Sequence, residues 1–390
     1  MGLGENRRSV NVMINSILKR LRVMRRPKLL LGVDYSDHEL RIVALRRLAK
    51  ESQAEGSVAE DSLAVPASLR YELEGYAVAS LPAGTVVAGE IADSEQLAKH
   101  LRRIVKKLRV QNRRVACAIR TSEALILTMT VDKELSRRQR DDRVIAMAEN
   151  ALPYSLDEIY LDFATAAGGD DEASESQRIT DTEEVFVVAG QLDSIDRRVE
   201  CFSAANLEIE VADVAALAQE RALAPLIAHF AEGDTVLLLT LEQGLSSLAL
   251  FRNGRHIATR EWQYGENSQP DALVEAPALV RETAFIWEEK DPRENGGFAS
   301  LRAAVSEQKN LLFAQANVER DLIDCVFLAG SEVRREGLEP AIAAALGCRV
   351  KVADPFFGIG LPTNFDPATV YQDAPGLLLA SALAQREALP

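Results

Sequence analysis

One strand–turn–strand pattern occurs twice in this chain, and that repetition constrains the fold more than any other feature. The first copy runs from Leu29 to Leu45: an apolar run closes on Gly32-Val33-Asp34, a polar turn through Ser36 and Asp37 follows, and a second apolar run begins at Leu40. The second copy runs from Thr235 to Ala258, with Val236 to Leu239, the break Glu242-Gln243-Gly244, the run Leu245 to Phe251, the turn Asn253-Gly254 and a further strand to Trp262. Continuous apolar runs bounded by turn residues are the pattern of strands buried on both faces, and Asn-Gly between two such runs signals a tight hairpin. Two copies about 200 residues apart imply two related lobes facing a cleft.

A chain of 390 residues, 47% of them apolar, suits two or more compact units. Its formal charge of -14 argues against a nucleic-acid coat. The charge is unevenly spread. Residues 1–28 hold eight basic side chains (Arg7, Arg8, Lys19, Arg20, Arg22, Arg25, Arg26, Lys28) and one acid, Glu5, so they carry +7 and the remainder carries -21. Between these basic groups Val10, Met13, Ile14, Ile17, Leu18, Leu21 and Met24 fall at helical spacing. Two readings of the segment stay open: a helix lying on an anionic inner-membrane surface, or a solvated extension. Lys19, Arg20 and Arg22 interrupt any secretory core, and no run of about 20 apolar residues is long enough to span a bilayer. Cys117, Cys201, Cys325 and Cys348 lie far apart without paired spacing, which suits free thiols in a reducing compartment.

Between the repeats, 50–61 reads as a polar loop before a strand from Leu69 to Ala79. Asp93 and Ser94, with Gln96 three residues after Asp93, start a helix whose apolar face is Leu97, Leu101, Ile104, Val105 and Leu108. Strands are expected over Arg114–Ile119, Ala124–Val131, Ile159–Ala164 and Val185–Ala189, with a charged helix Ser136–Ala151 stopped by Pro153 and an acidic loop over Gly168–Glu184. Helix Ser194–Ala205, strand Leu207–Val211 and helix Asp213–Phe230 complete the first half, and Glu232-Gly233-Asp234 marks the boundary. In the second half, helices over Asp271–Lys290 and Leu301–Val318 flank a turn-rich 291–297. Strand Cys325–Leu328, helix Leu338–Leu346, strand Arg349–Val352 and a last helix Ala374–Arg386 follow. The mixture is an α/β protein of two similar lobes.

A strand-to-turn junction presents successive backbone N–H groups to an anion, and an acid there can hold a metal-bound water. Asp34 with Ser36 fits that role. In the second copy the equivalent of Asp34 is Thr240, and Glu242 stands where close phosphate approach calls for glycine. Repulsion between that carboxylate and a phosphate costs on the order of 1–4 kcal/mol, so strong ATP hydrolysis is disfavoured and whether the chain is an enzyme stays open, leaning against. Gly330 with Ser331 forms a third candidate, a small-residue turn where a base or ribose could approach the backbone. No catalytic residue and no metal ligand is assigned: His38, His100, His229 and His256 have no ligand spacing, and no Gly-x-Ser-x-Gly or Walker-type loop is present.

These residues resemble the actin-like PilM family of type IV pilus systems, from about Lys28 to Arg386. Leu31-Gly32-Val33-Asp34-Tyr35-Ser36 is similar to its Leu-Gly-Ile-Asp-Ile-Ser opening. Leu81-Pro82-Ala83-Gly84, Val87-Ala88-Gly89-Glu90-Ile91 and the distinctive Glu149-Asn150-Ala151-Leu152-Pro153-Tyr154 segment continue the pattern, as do Phe251-Arg252-Asn253-Gly254, Gly330-Ser331 and Asp354-Pro355-Phe356. The resemblance implies an actin-like (ASKHA) α/β fold of two lobes with RNase H-like subdomains and an inserted small α/β subdomain. In domain terms that is a basic extension over 1–27, lobe one over 28–231 with the insertion at about 83–189, lobe two over 232–368 and a C-terminal helix over 369–390 returning to lobe one. It implies a cytoplasmic scaffold, peripheral to the inner membrane, that binds the cytoplasmic tail of a PilN-like inner-membrane protein in a groove beside the insertion and connects through it to PilO, PilP and the pilus motor ATPases. The basic N-terminal segment, longer than that family usually carries, adds direct membrane contact through residues 7–28 as a further expectation. It also implies an ATP and Mg2+ site in which Gly32, Asp34 and Ser36 form the first phosphate loop and Gly330 with Ser331 the adenosine loop. The second phosphate loop, Asp-Ile-Gly in the family, is Thr240-Leu241-Glu242 here, so the site reads as degenerate, with ATP and Mg2+ bound weakly or not at all. The alternatives are an active ATPase of the same superfamily, or the cytoplasmic component of a type II secretion system (GspL-like) or a mannose-sensitive pilus (MshI-like). GspL continues into a membrane span, and this sequence ends at Pro390 without one.

Overall fold

Two five-stranded sheets with the same strand order organise the chain in the computed structural model, which describes residues 30–48, 71–165, 181–231, 235–264, 298–318, 323–363 and 365–386. In the first, β1 (Leu31–Tyr35) pairs antiparallel with β2 (Glu39–Arg47), β2 with β3 (Tyr71–Ser80), and β1 runs parallel to β6 (Arg114–Ile119), which is parallel to β10 (Glu208–Val214). In the second, β11 (Thr235–Thr240), β12 (Gly244–Arg252) and β13 (Arg255–Tyr264) form the antiparallel part, and β14 (Cys325–Ala329) and β15 (Arg349–Val352) add in parallel to β11. Each sheet therefore has the order third, second, first, fourth, fifth. The duplicated hairpins of the sequence are β1–β2 and β11–β12, the equivalent elements of the two lobes.

The central strands are apolar throughout because both faces are covered. Val236 to Leu239 and Cys325 to Ala329 are buried along their whole length. Helices α1 (Ser94–Leu108) and α3 (Leu192–Ala204) cover one face of the first sheet, where Leu97, Leu101 and Phe202 join Val33, Leu40 and Ile42 in one core. Helices α5 (Ala299–Gln315) and α6 (Leu338–Leu346) cover the outer face of the second sheet. Between the lobes lie α4 (Ala215–Phe230) and the C-terminal α8 (Leu378–Ala384), whose Leu378, Ala382 and Leu383 share a core with Leu30, Ala116, Val236 and Phe327. At the hairpin β12–β13, Asn253 and Gly254 both take left-handed φ (52° and 72°), the geometry a two-residue turn requires.

The separate small subdomain begins at Ala124. There β7 (Ala124–Asp132), β9 (Thr182–Gln191) and β8 (Ile159–Thr165) form an antiparallel sheet in the order β7-β9-β8, with α2 (Arg137–Ala151) packed on one face through Val144 and Ala148. Although α1 and β6 fall inside the range expected for the insertion, they belong to the first lobe. Between them and β3 lie the short strands β4 (Val86–Val87) and β5 (Glu90–Ile91). Strand β9 is longer than expected, because its alternation continues through Thr182 to Glu184, residues whose acidity reads as loop. The last helix is a 3-10 turn, Ala374–Leu377, followed by α8, and a short α7 (Pro367–Asp373) precedes it. The basic segment 1–28, the polar loop 50–61, the boundary 232–234 and the helix and turn expected over 271–297 lie outside the described residues, as does most of the acidic loop. Among the described residues no helix is long and apolar enough to cross a membrane. All four cysteines are free, and burial pushes the thiols of Cys117 up to about 12 and of Cys201 and Cys325 up to about 11.

Candidate functional site

The two repeated turns face each other across a cleft that encloses about 130 Å3 and is lined from both lobes, by Asp34, Ser36, Asp37 and Arg41 on one side and Thr240, Glu242, Leu245 and Gly330 on the other. At its floor stands Arg41. In the β1–β2 register Arg41 lies directly opposite Asp34, and its guanidinium donates to Asp34 Oδ2 (3.2 Å), to Glu39 Oε2 (2.7 Å) and, across the cleft, to Glu242 Oε2 (2.5 Å). The Ser331 hydroxyl donates to the same Glu242 oxygen at 2.9 Å. One buried cation, 2% exposed, thus serves three carboxylates and joins both lobes. Glu242 is held by its own turn, whose amide donates to Ser246 Oγ while that hydroxyl donates back to the Glu242 carbonyl. Burial pushes the Asp34 and Glu242 carboxyls above the usual carboxylate range, and the Arg41 charge offsets this only in part.

A second ion cluster lies on the first lobe's wall. Glu123 accepts from Arg120 at 2.8 Å and from Arg198 at 2.7 Å. Burial would raise the Glu123 carboxyl, but Arg198 and Arg120 outweigh it and hold it below its ordinary range. Above this wall Ala88 and Gly89 have successive left-handed backbones (φ 51° and 77°), a concavity of N–H groups suited to an anion. The carboxylate of Asp37 fills it, accepting from Ala88 N at 2.9 Å and Gly89 N at 2.8 Å. Gly244 of the second lobe sits against Asp37, at φ 100°, where a side chain would crowd that carboxylate. Ser122 donates to Glu261 at 2.7 Å, a further link between the first lobe's chain and β13.

The expected site residues divide. Asp34, Ser36, Gly330 and Ser331 do gather at the cleft, but each is engaged within the protein. Ser36 closes the β1–β2 turn, its amide donating to Glu39 O at 2.8 Å and its hydroxyl accepting from Glu39 N at 3.2 Å. Gly330, at φ 102°, lies with its Cα against the Leu241 carbonyl, and its amide donates to Pro375 O. Gly32 packs against α8, where a Cβ would overlap the Ala380 carbonyl and the Ala384 amide, so its small size serves strand–helix contact. The local sequence pattern assigns Arg41 no role. The available signal was a lone cation inside the apolar run Leu40 to Leu45, where burial demands a partner.

A magnesium triphosphate does not fit this arrangement. The acids that would hold the cation's water are paired with Arg41. The amides of Leu241 and Glu242 donate to Ala329 and Ser246, and the anion concavity holds Asp37. The enclosed volume is also below the roughly 300–1,000 Å3 of ligand pockets. Among the described residues no cluster of His, Cys, Asp and Glu is arranged to hold a metal ion.

Two sheets of identical order, each opening with the same hairpin and closing on a shared cleft, define a two-lobed actin-like fold with a small inserted subdomain. Within that class the assignment is specific: a family model described as type IV pilus assembly protein PilM matches residues 32–388, and the chain belongs to that family. A solved PilM-PilN type IV pilus biogenesis complex is similar to it at 19% identity and a TM-score of 0.66, over 94% of this chain and all of that one. More distant are the cytoplasmic domain of EpsL, an inner-membrane component of the Vibrio cholerae type II secretion system (10% identity, TM-score 0.38, 92% of this chain and 95% of that one), and MreB 5 of Spiroplasma citri bound to AMPPNP (9%, 0.40, 92% and 95%).

Proposed function

We propose that this protein is a scaffold on the cytoplasmic face of a type IV pilus assembly machine, that it captures the cytoplasmic tail of a PilN-like inner-membrane protein, and that an internal ion cluster takes the place of nucleotide between its lobes. The observation that carries the tail-binding reading is the uncovered face of the small sheet. Among the described residues α2 covers one face, and the other packs on the first lobe only at its base, through Ile126 and Val188 against Ile119 and Ile195. Beyond that contact Phe186 is left 43% exposed and Tyr160 38% exposed. Tyr160 OH donates to Asp196 of α3 at 2.8 Å, and Val199, one turn further along α3, is also exposed. Tyr160 pairs with Gly190 and Phe186 with Ala164, so the two aromatics stand at opposite ends of one open face, bordered at Tyr160 by α3, that we assign as the groove for an amphipathic peptide. A solved relative of the same architecture is a complex with PilN, which favours that class of occupant. Through the tail the scaffold would connect to PilO and PilP and to the motor ATPases, holding it at the inner membrane.

Titration of the full-length protein with peptides copied from candidate partner tails tests the reading. Phe186→Asp is expected to weaken binding by about tenfold or more, the loss of an aromatic anchor, whereas Phe186→Leu retains most of it. Equal affinity of Phe186→Asp and the parent would remove the groove from consideration.

A further inference from the structure

The geometry points to helix α1 as a docking surface for an anionic lipid bilayer. Lys99, Arg102, Arg103, Lys106, Lys107 and Arg109 are all exposed. At about 100° per residue the first five share less than half of the helix circumference, directly opposite the buried Leu97, Leu101, Ile104 and Val105. Among the described residues none of these six side chains is engaged in an ion pair or hydrogen bond, and the helix contains a single acid, Glu95, in its first turn. In a chain of net charge -14 this is a segregated cationic stripe about 15 Å long from Lys99 to Arg109, extended further by the exposed Arg113.

A bilayer suits the stripe better than another polyanion for two reasons. First, the face carries no aromatic side chain on which bases could stack. Second, the sheet register brings the start of β1 to the same edge, Leu31 pairing with Val115, two residues beyond Arg113, and the sequence preceding β1 carries a +7 charge over residues 1–28. That sequence interleaves its basic residues with Val10, Met13, Ile14, Ile17 and Leu18, apolar groups of use at a headgroup–acyl boundary. The acidic body would then be turned away from the lipid. This surface lies on a different element from the tail groove.

Flotation of the full-length protein with vesicles of phosphatidylcholine alone or containing about 30% phosphatidylglycerol tests the inference. The parent is expected to bind only the anionic vesicles, with partitioning about tenfold weaker when salt is raised from about 0.1 M to 0.4 M. The full chain carrying Lys99→Glu, Arg102→Glu, Arg103→Glu and Lys106→Glu should partition at least about tenfold less while still binding the partner-tail peptide. The four Gln substitutions serve if charge reversal lowers the melting temperature. Folded variants that partition like the parent would overturn the inference. So would displacement of the parent from anionic vesicles by duplex DNA, or by a peptide of this chain's own acidic residues 168–184, at matched charge.

Discussion

Arg41 and Glu242, 201 residues apart in the chain, meet at 2.5 Å across the cleft, and this pair ties the two repeated hairpins together. Three acids converge on one guanidinium, so the cluster carries excess negative charge when all are ionised. Its cohesion depends on Arg41, because removal of one member of a buried ion set leaves the others uncompensated.

Replacement of Arg41 by Ala is expected to destabilise the protein by about 3–5 kcal/mol, measured by chemical denaturation. Because burial raises Asp34 and Glu242 above their unfolded values, their contribution to stability is fully present below about pH 4 and declines as pH rises through the raised values. The penalty of Arg41→Ala should therefore be larger at pH 8 than at pH 5. Glu242→Gln keeps an acceptor for Arg41 and Ser331 while removing a charge, and should leave stability at pH 7 within about 1 kcal/mol of the parent.

Addition of millimolar ATP and Mg2+ should leave the melting temperature of the parent unchanged. A ligand present at 100 times its Kd would add about 2.7 kcal/mol, so a magnesium-dependent rise would show that nucleotide displaces the Arg41 cluster.

Glu123 supplies the opposite pH signature. Its carboxyl is held below the ordinary range by Arg198 and Arg120, so its contribution is present above the unfolded pKa near about 4 and is lost as pH falls through the lower folded value. Glu123→Gln should cost about 1–3 kcal/mol at neutral pH, with the difference from the parent shrinking below about pH 4 in a denaturation series.

The glycines can be told apart by the same measurement. Gly32→Ala should prevent or severely weaken folding, since the new methyl meets the α8 backbone, which cannot swing aside. Gly330→Ala combines a left-handed φ with overlap on Leu241 and should cost several-fold more than Gly254→Ala, where the turn is equally left-handed but the space around it is open. Equal costs at 330 and 254 would show that the close Gly330–Leu241 contact within the second lobe contributes little.

Much of the architecture was legible in local pattern. The apolar runs Leu29–Val33 and Val236–Leu239, the turn Asn253-Gly254 and the start of α1 at Asp93, whose side chain accepts from Gln96 N, announced themselves because burial on two faces, left-handed turns and helix caps each restrict residue type over a few positions. The inserted sheet was harder to bound: β6 and β7 are both short apolar runs in the chain, and only the pairing of β6 with β1 and β10 assigns it to the first lobe.

The sequence by itself determined the duplicated hairpins, the placing of Asp34 and Gly330 beside the cleft, and the departure of Thr240-Leu241-Glu242 from a phosphate loop. Tertiary structure alone decided what that departure does. Glu242 reads from the chain as a charge set against phosphate, yet closure of the lobes places it on a buried arginine from the other repeat. Coulombic partners inside a low-dielectric cleft are fixed by distance in space, and 201 intervening residues carry no local trace of it.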